Sequence, residues 1–145
     1  MDKNKFLIDL SESDRTDFGR VDFAAQNVAQ KAFSAIWELE SQVNNGGFDQ
    51  YFRNSESEII AYAPIALQQI SAHTCAEIVK AAIATIAPIP AEDDARIDAL
   101  DSALEADEEL LEELDSQFFS YPDNLTELLF AFVANNQDEF GVVPS

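Results

Sequence analysis

The sequence predicts an all-α fold, a single compact multi-helix domain spanning residues 1–145, on three observations. Apolar residues recur at three- and four-residue spacing in each long segment; no segment shows the period-two alternation of a half-buried strand; and the β-branched residues fall within the helical stripes. Six to eight helices follow. At 145 residues the chain has the length of one ordinary domain, enough to bury roughly two-thirds of the surface it exposes when unfolded.

Taken in order, residues 2–22 place six acids and four bases around Phe6-Leu7-Ile8, a short N-terminal element and a connection with Ser11, Ser13 and Asp14 as turn or cap residues. Gly19 precedes the first long helix, whose apolar stripe runs from Phe23 through Phe33 and Trp37 to Val43 and is expected to face the core. Asn44-Asn45-Gly46-Gly47 then supplies a residue able to turn left-handed, so the helix stops there. Phe48, Tyr51 and Phe52 follow on one face of a second, short helix, where burial contributes on the order of 2 kcal/mol per ring. The stretch Trp37–Phe52 is therefore the expected packing knot. Ser55-Glu56-Ser57-Glu58 has capping-box spacing and opens a helix to Ile70 that Pro64 is expected to kink. Thr74-Cys75-Ala76-Glu77 is a second such box, opening an apolar helix that ends before Pro88 and Pro90 and is the expected central helix.

From Glu92 to Asp115 the composition changes to twelve acids and one base, Arg96, while Ile97, Leu100, Leu104, Leu111 and Leu114 hold an apolar seam. This is an amphipathic acidic helix or a helical hairpin. Phe118, Phe119 and Tyr121 lead to the turn Pro122-Asp123-Asn124, which caps a last helix carrying Leu125, Leu128, Leu129, Phe132 and Val133, and residues 135–145 are expected to fray.

Twenty-eight acids against eight bases give a net charge of −20, a field that opposes binding to DNA, RNA or an anionic membrane and attracts basic surfaces. No run approaches the ~18 apolar residues of a membrane span, and the N-terminus lacks the apolar core of a signal peptide, so a cytoplasmic location is expected. Cys75 is the single cysteine, which fits a reducing compartment. Catalysis finds no foothold. His73 and Cys75, two residues apart, fall on different sides of a helix with no adjacent acid to orient the imidazole. The acids around Asp93 and Asp107 lack the alternating ligands and Gly of a calcium loop, no Glu-x-x-His is present, and the Gly pair has no following Lys or Ser/Thr to cradle a phosphate. The expectation is no enzyme, no metal and no cofactor.

Trp37 through Phe52, with Glu40, Val43, Asn44, Gly46, Gly47, Phe48, Gln50, Tyr51, Phe52 and Asn54, resembles a bacterial family of DNA-mimic proteins. The likeness continues more weakly through Ala63-Pro64, Ile70-Ser71-Ala72 and Leu114-Asp115 to Leu125–Leu129; many relatives look to have Gly in the segment after Ile70, where this chain has Ser71. The resemblance implies an all-helical, non-catalytic protein whose partner is a basic DNA-binding protein such as a helix-turn-helix regulator. It carries over no binding residue, because the shared motif is mostly aromatic and Gly whereas mimicry resides in surface acids.

The acidic segment supplies those residues. As one continuous helix, its 24 residues would span about 36 Å with roughly one carboxylate per 3 Å, close to the ~3.4 Å of axis per charge on one DNA strand. Asp98, Asp101, Glu105, Glu108, Glu109 and Glu112 recur at spacings that place neighbours on one side, with Leu100, Leu104, Leu111 and Leu114 turned to the core, and are the expected partner-binding face. The protein is expected to act in transcription regulation, as a monomer or homodimer, without touching nucleic acid or membrane. The alternatives are an immunity-type inhibitor of a basic nuclease toxin, or an adaptor domain whose charge serves only solubility.

Overall fold

The computed structural model describes residues 2–11 and 23–140. These hold eight α-helices and no strand: α1 (Lys3–Ser11), α2 (Val28–Asn54), α3 (Ser57–Gln69), α4 (His73–Ala84), α5 (Asp93–Ala106), α6 (Glu108–Phe119), α7 (Leu125–Asn135) and α8 (Gln137–Phe140). The connection expected around Ser13, Asp14 and Gly19 lies outside the described residues.

A reciprocal cap starts α2. The Asn27 side chain accepts from the Gln30 amide at 2.8 Å, and the Gln30 side chain accepts from the Asn27 amide at 3.1 Å, satisfying two otherwise orphaned donors. Below the cap, Ala32, Phe33, Ala35, Ile36, Leu39 and Val43 are fully buried. This helix, rather than α4, is the centre of the fold, packing against α3, α5, α6, α7 and α8. The low polarity of α4 misleads because part of it is exposed alanine, Ala81 and Ala84, which needs no cover.

At Gly46-Gly47 the helical path of α2 breaks, with Gly47 at φ 73°, ψ −175°, a conformation open essentially to glycine. The second arm then buries Phe48, Tyr51 and Phe52 completely, and Phe48 meets Phe118 of α6 edge-on at 5.9 Å. The knot is real, but Trp37 is not inside it. The core position is filled by Phe33, against which Phe140 packs at 5.9 Å, and the indole stacks on Phe33 from the rim. As far as Phe140 the expected fraying is overturned, since the chain past Asn135 turns into α8 and Gln30 donates to the Glu139 carbonyl at 2.9 Å; residues 141–145 lie outside the described residues.

Both expected capping boxes after the knot are replaced by longer-range contacts. Ser55 ends α2 and donates its hydroxyl to Glu38, so α3 begins after Glu56 with no side-chain cap. Likewise α4 begins after Ala72 rather than at Thr74, and its Cys75 amide donates to Asp123, 48 residues on, at 2.8 Å. Helix α3 continues through Pro64 and closes with the Ala72 amide on the Leu67 carbonyl (2.8 Å) and the Ser71 amide on that of Gln68 (3.0 Å). This ending requires a left-handed residue, and Ser71 takes it at φ 68°.

A carboxylate-lined groove at the acidic edge

Arg96, the lone base of the acidic segment, is almost wholly buried. Its guanidinium donates from Nε to the Phe52 carbonyl (2.7 Å), from Nη1 to Ser57 Oγ (2.8 Å) and from Nη2 to Asp93 (2.9 Å). It thereby pins α5 to the end of α2 and the start of α3, and leaves the outer face of α5 to acids. Leu100, Leu111 and Leu114 are buried and Leu104 partly so, as the apolar seam predicts.

The segment is not one straight helix. Asp107, with φ −159° and ψ 87°, ends α5 through its amide on the Ala103 carbonyl (3.0 Å) and starts α6 by accepting from the Leu110 amide (3.2 Å). Two helices of 14 and 12 residues replace the 36 Å rod, about 21 and 18 Å long.

All six expected face residues are exposed, but the structure groups them unevenly. Glu105, Glu108 and Glu112 line a groove of about 510 Å³ together with Leu104, Leu111, Gly46, Asp49 and Asp115. Asp101 is instead ion-paired with Arg53 at 2.7 Å, and Arg53 also pairs with Asp49. Asp98 and Glu109 are exposed outside the groove lining.

Asp49 and Asp115 are the groove residues that charge counting along one helix misses; Asp49 belongs to the aromatic motif and Asp115 closes the acidic run. Asp115 Oδ1 accepts from the Phe48 amide at 2.8 Å, capping the second arm of α2 from 67 residues away. Burial raises its carboxyl above the usual range; the Phe48 bond pulls it partly back, while Asp49 and Glu112 add to the rise. A Cβ on Gly47 would stand 2.5 Å from Asp115 Oδ2, so the glycine is needed for space as well as for its backbone angles.

The enzyme-like residues point elsewhere. His73 Nδ1 lies 2.8 Å from Gln68 Oε1, and the Cys75 thiol is buried and pushed up to about 12 by desolvation and then by Asp123. Among the described residues no group of three or more acids, His or Cys is arranged to hold a metal ion, and no helix is long and apolar enough to cross a membrane.

Fold and edge define an acidic, all-helical domain that presents carboxylates around a groove. The chain belongs to the DMP19-like protein family, whose model matches residues 24–136, a span that includes the Gly47 break and every groove residue. No curated protein and no solved structure matches it.

Proposed function

We propose that the α5–α6 edge binds the basic DNA-binding surface of a transcription regulator and competes with DNA for it. Family membership supports a DNA-mimic role for a DMP19-like chain. The observation that carries the reading is the groove, where Glu105, Glu108, Glu112, Asp49 and Asp115 border one concavity and, among the described residues, the one base in salt-bridge contact with that set is Arg53. Carboxylates gathered in this way recognise Arg and Lys through charge-assisted hydrogen bonds, and the surplus field steers a basic partner on approach. The role is non-catalytic and needs no cofactor. The two-helix shape means that mimicry rests on this cluster together with exposed Asp98 and Glu109, rather than on a straight row of charges.

The test titrates the protein into a labelled complex of DNA with a helix-turn-helix regulator that co-purifies with it. The wild type should displace the DNA, less effectively as salt rises. The variant Glu105→Gln, Glu108→Gln, Glu112→Gln should keep its helical circular dichroism and displace at least tenfold less well. Unchanged displacement by this variant would remove the face from the proposal. Failure of the wild type to displace any DNA, with protection of DNA from a basic nuclease instead, would install the inhibitor reading.

A further inference from the structure

The first arm of α2 carries a second concavity. Trp37, Glu40, Ser41 and Asn44, three, four and seven residues apart, form one strip of the helix and line a cavity of about 150 Å³. Glu40 is part-buried and makes no hydrogen bond or ion pair with any described residue. Its burial raises the carboxyl from an ordinary 4.5 to about 7. Among the described residues the fully buried side-chain polar atom without a partner is the Tyr51 hydroxyl, so the Glu40 oxygens still reach solvent through the cavity and are open to a donor from outside. Beside it the Trp37 ring is held by stacking on Phe33, with centroids 5.5 Å apart and planes 10° apart, so its orientation is set in advance.

An indole next to an unpaired carboxylate selects for a cation with N–H donors, because one such group satisfies the carboxylate and is attracted to the aromatic ring. Anions are repelled, and an apolar group would leave the carboxylate unpaired. The volume narrows the choice further: 150 Å³ is below the ~300 Å³ at which pockets for whole small ligands begin. It suits the end of one side chain.

We propose that the Trp37–Glu40 cavity receives the guanidinium or ammonium end of a basic side chain from a partner protein, with Ser41 and Asn44 at its margin. This site stands apart from the α5–α6 edge and does not depend on mimicry. Of the titratable groups around Glu40, the Cys75 thiol of α4 feels its charge, and Asp123 in turn faces Cys75. The thiol remains protonated through neutral pH, so Glu40 controls the charge of the cavity.

Trp37 is the only tryptophan of the chain and reports directly on occupancy. Its emission is followed while N-acetyl-arginine amide, its neutral citrulline counterpart, free ethylguanidinium and a glycine-flanked arginine peptide are added at 0.5 M salt, which screens exposed carboxylates. At pH 8 the arginine amide should give a saturable change, at least tenfold weaker at pH 5.5, where Glu40 is protonated. The citrulline compound should give none, and Glu40→Gln should abolish the response. A peptide binding at least as tightly as the amide supports a protein-borne side chain; tighter binding of ethylguanidinium than of either would overturn that occupant in favour of a free cation. No saturable change in the wild type at pH 8, an equal response to citrulline, or undiminished binding by Glu40→Gln would overturn the site. Should Glu40→Gln fold poorly, the wild-type pH dependence and the citrulline control decide it alone.

Discussion

The break in α2 and the groove beside it share Gly46, Asp49 and Asp115 but follow opposite rules. In the second arm of α2 the rings of Phe48, Tyr51 and Phe52 are without exposure, and the Phe48 amide has its acceptor in Asp115. Across the groove, Glu105, Glu108 and Glu112 are exposed and have no ion-pair partner among the described residues. One region is turned inward, leaving only the Tyr51 hydroxyl buried without a partner among the described residues; the other keeps its charge for something outside. The aromatic and glycine residues at the break are thus those that hold the fold, while those proposed to act are surface acids that the fold merely tolerates.

The largest separation between the two regions should appear on truncation. Phe52→Ala should lose about 3 to 5 kcal/mol in urea unfolding, a large share of a typical total of ~5 to 15. The triple Gln variant of the groove should unfold at the same or a higher urea concentration, and any gain should shrink with added salt as like-charge repulsion is screened. Equal losses in both would erase the distinction.

Gly47→Ala sharpens the contrast at the shared boundary. The φ of 73° strains any L side chain, and the new methyl meets the Asp115 carboxylate. Backbone strain alone costs on the order of 1 to 3 kcal/mol, and loss of the Phe48 cap adds to it. Hydrogen exchange at Phe48 should accelerate more than exchange in α4; uniform acceleration would mean that the cap is not what fails.

Glu40, in the first arm of α2, is a part-buried acid whose cost pH exposes. Because its folded value, about 7, lies above the ordinary 4.5, the wild type is destabilised at pH 8 and regains stability as pH falls through 7 toward 4.5. The full effect is on the order of 3 kcal/mol, reduced by whatever solvent reaches the carboxyl. Glu40→Gln should therefore be the more stable protein at pH 8 and lose that advantage below pH 5. Thermal melts at the two pH values measure the difference, and an advantage that persists in acid would contradict the assigned cause.

The smallest effect belongs to Ser71. Placing glycine at its left-handed φ should stabilise α3 by about 1 kcal/mol, a shift readable in urea midpoints.

Helices and their apolar faces were legible because they depend on local period, and the break at Gly46-Gly47 because a glycine pair is a local signal. The caps were not. Cys75 and Phe48 take their acceptors from Asp123 and Asp115, far along the chain, so the nearby Ser and Thr boxes looked sufficient when they were not used. The joint at Asp107 was hidden by Leu104 and Leu111, seven apart, which keep helical phase across it. The three groove glutamates emerged from spacing, whereas Asp49 did not, since only the tertiary fold brings the α2 break against α6. The value of Ser71 also needed the backbone: a serine after a helix is unremarkable until its φ is known.

Asp115 has two audiences. One is the Phe48 amide, and the other is the groove, where Asp49 and Glu112 already push its proton affinity upward. A cation entering the groove would relieve that pressure and hold Asp115 ionised, strengthening its grip on the amide. The protection of a single buried-helix N–H against exchange with solvent then becomes a gauge of what occupies the surface. A partner seated on α5–α6 should slow exchange at Phe48 without touching it, and the protection of the same amide, taken against its intrinsic rate at each pH, should fall in acid as the carboxylate gains its proton.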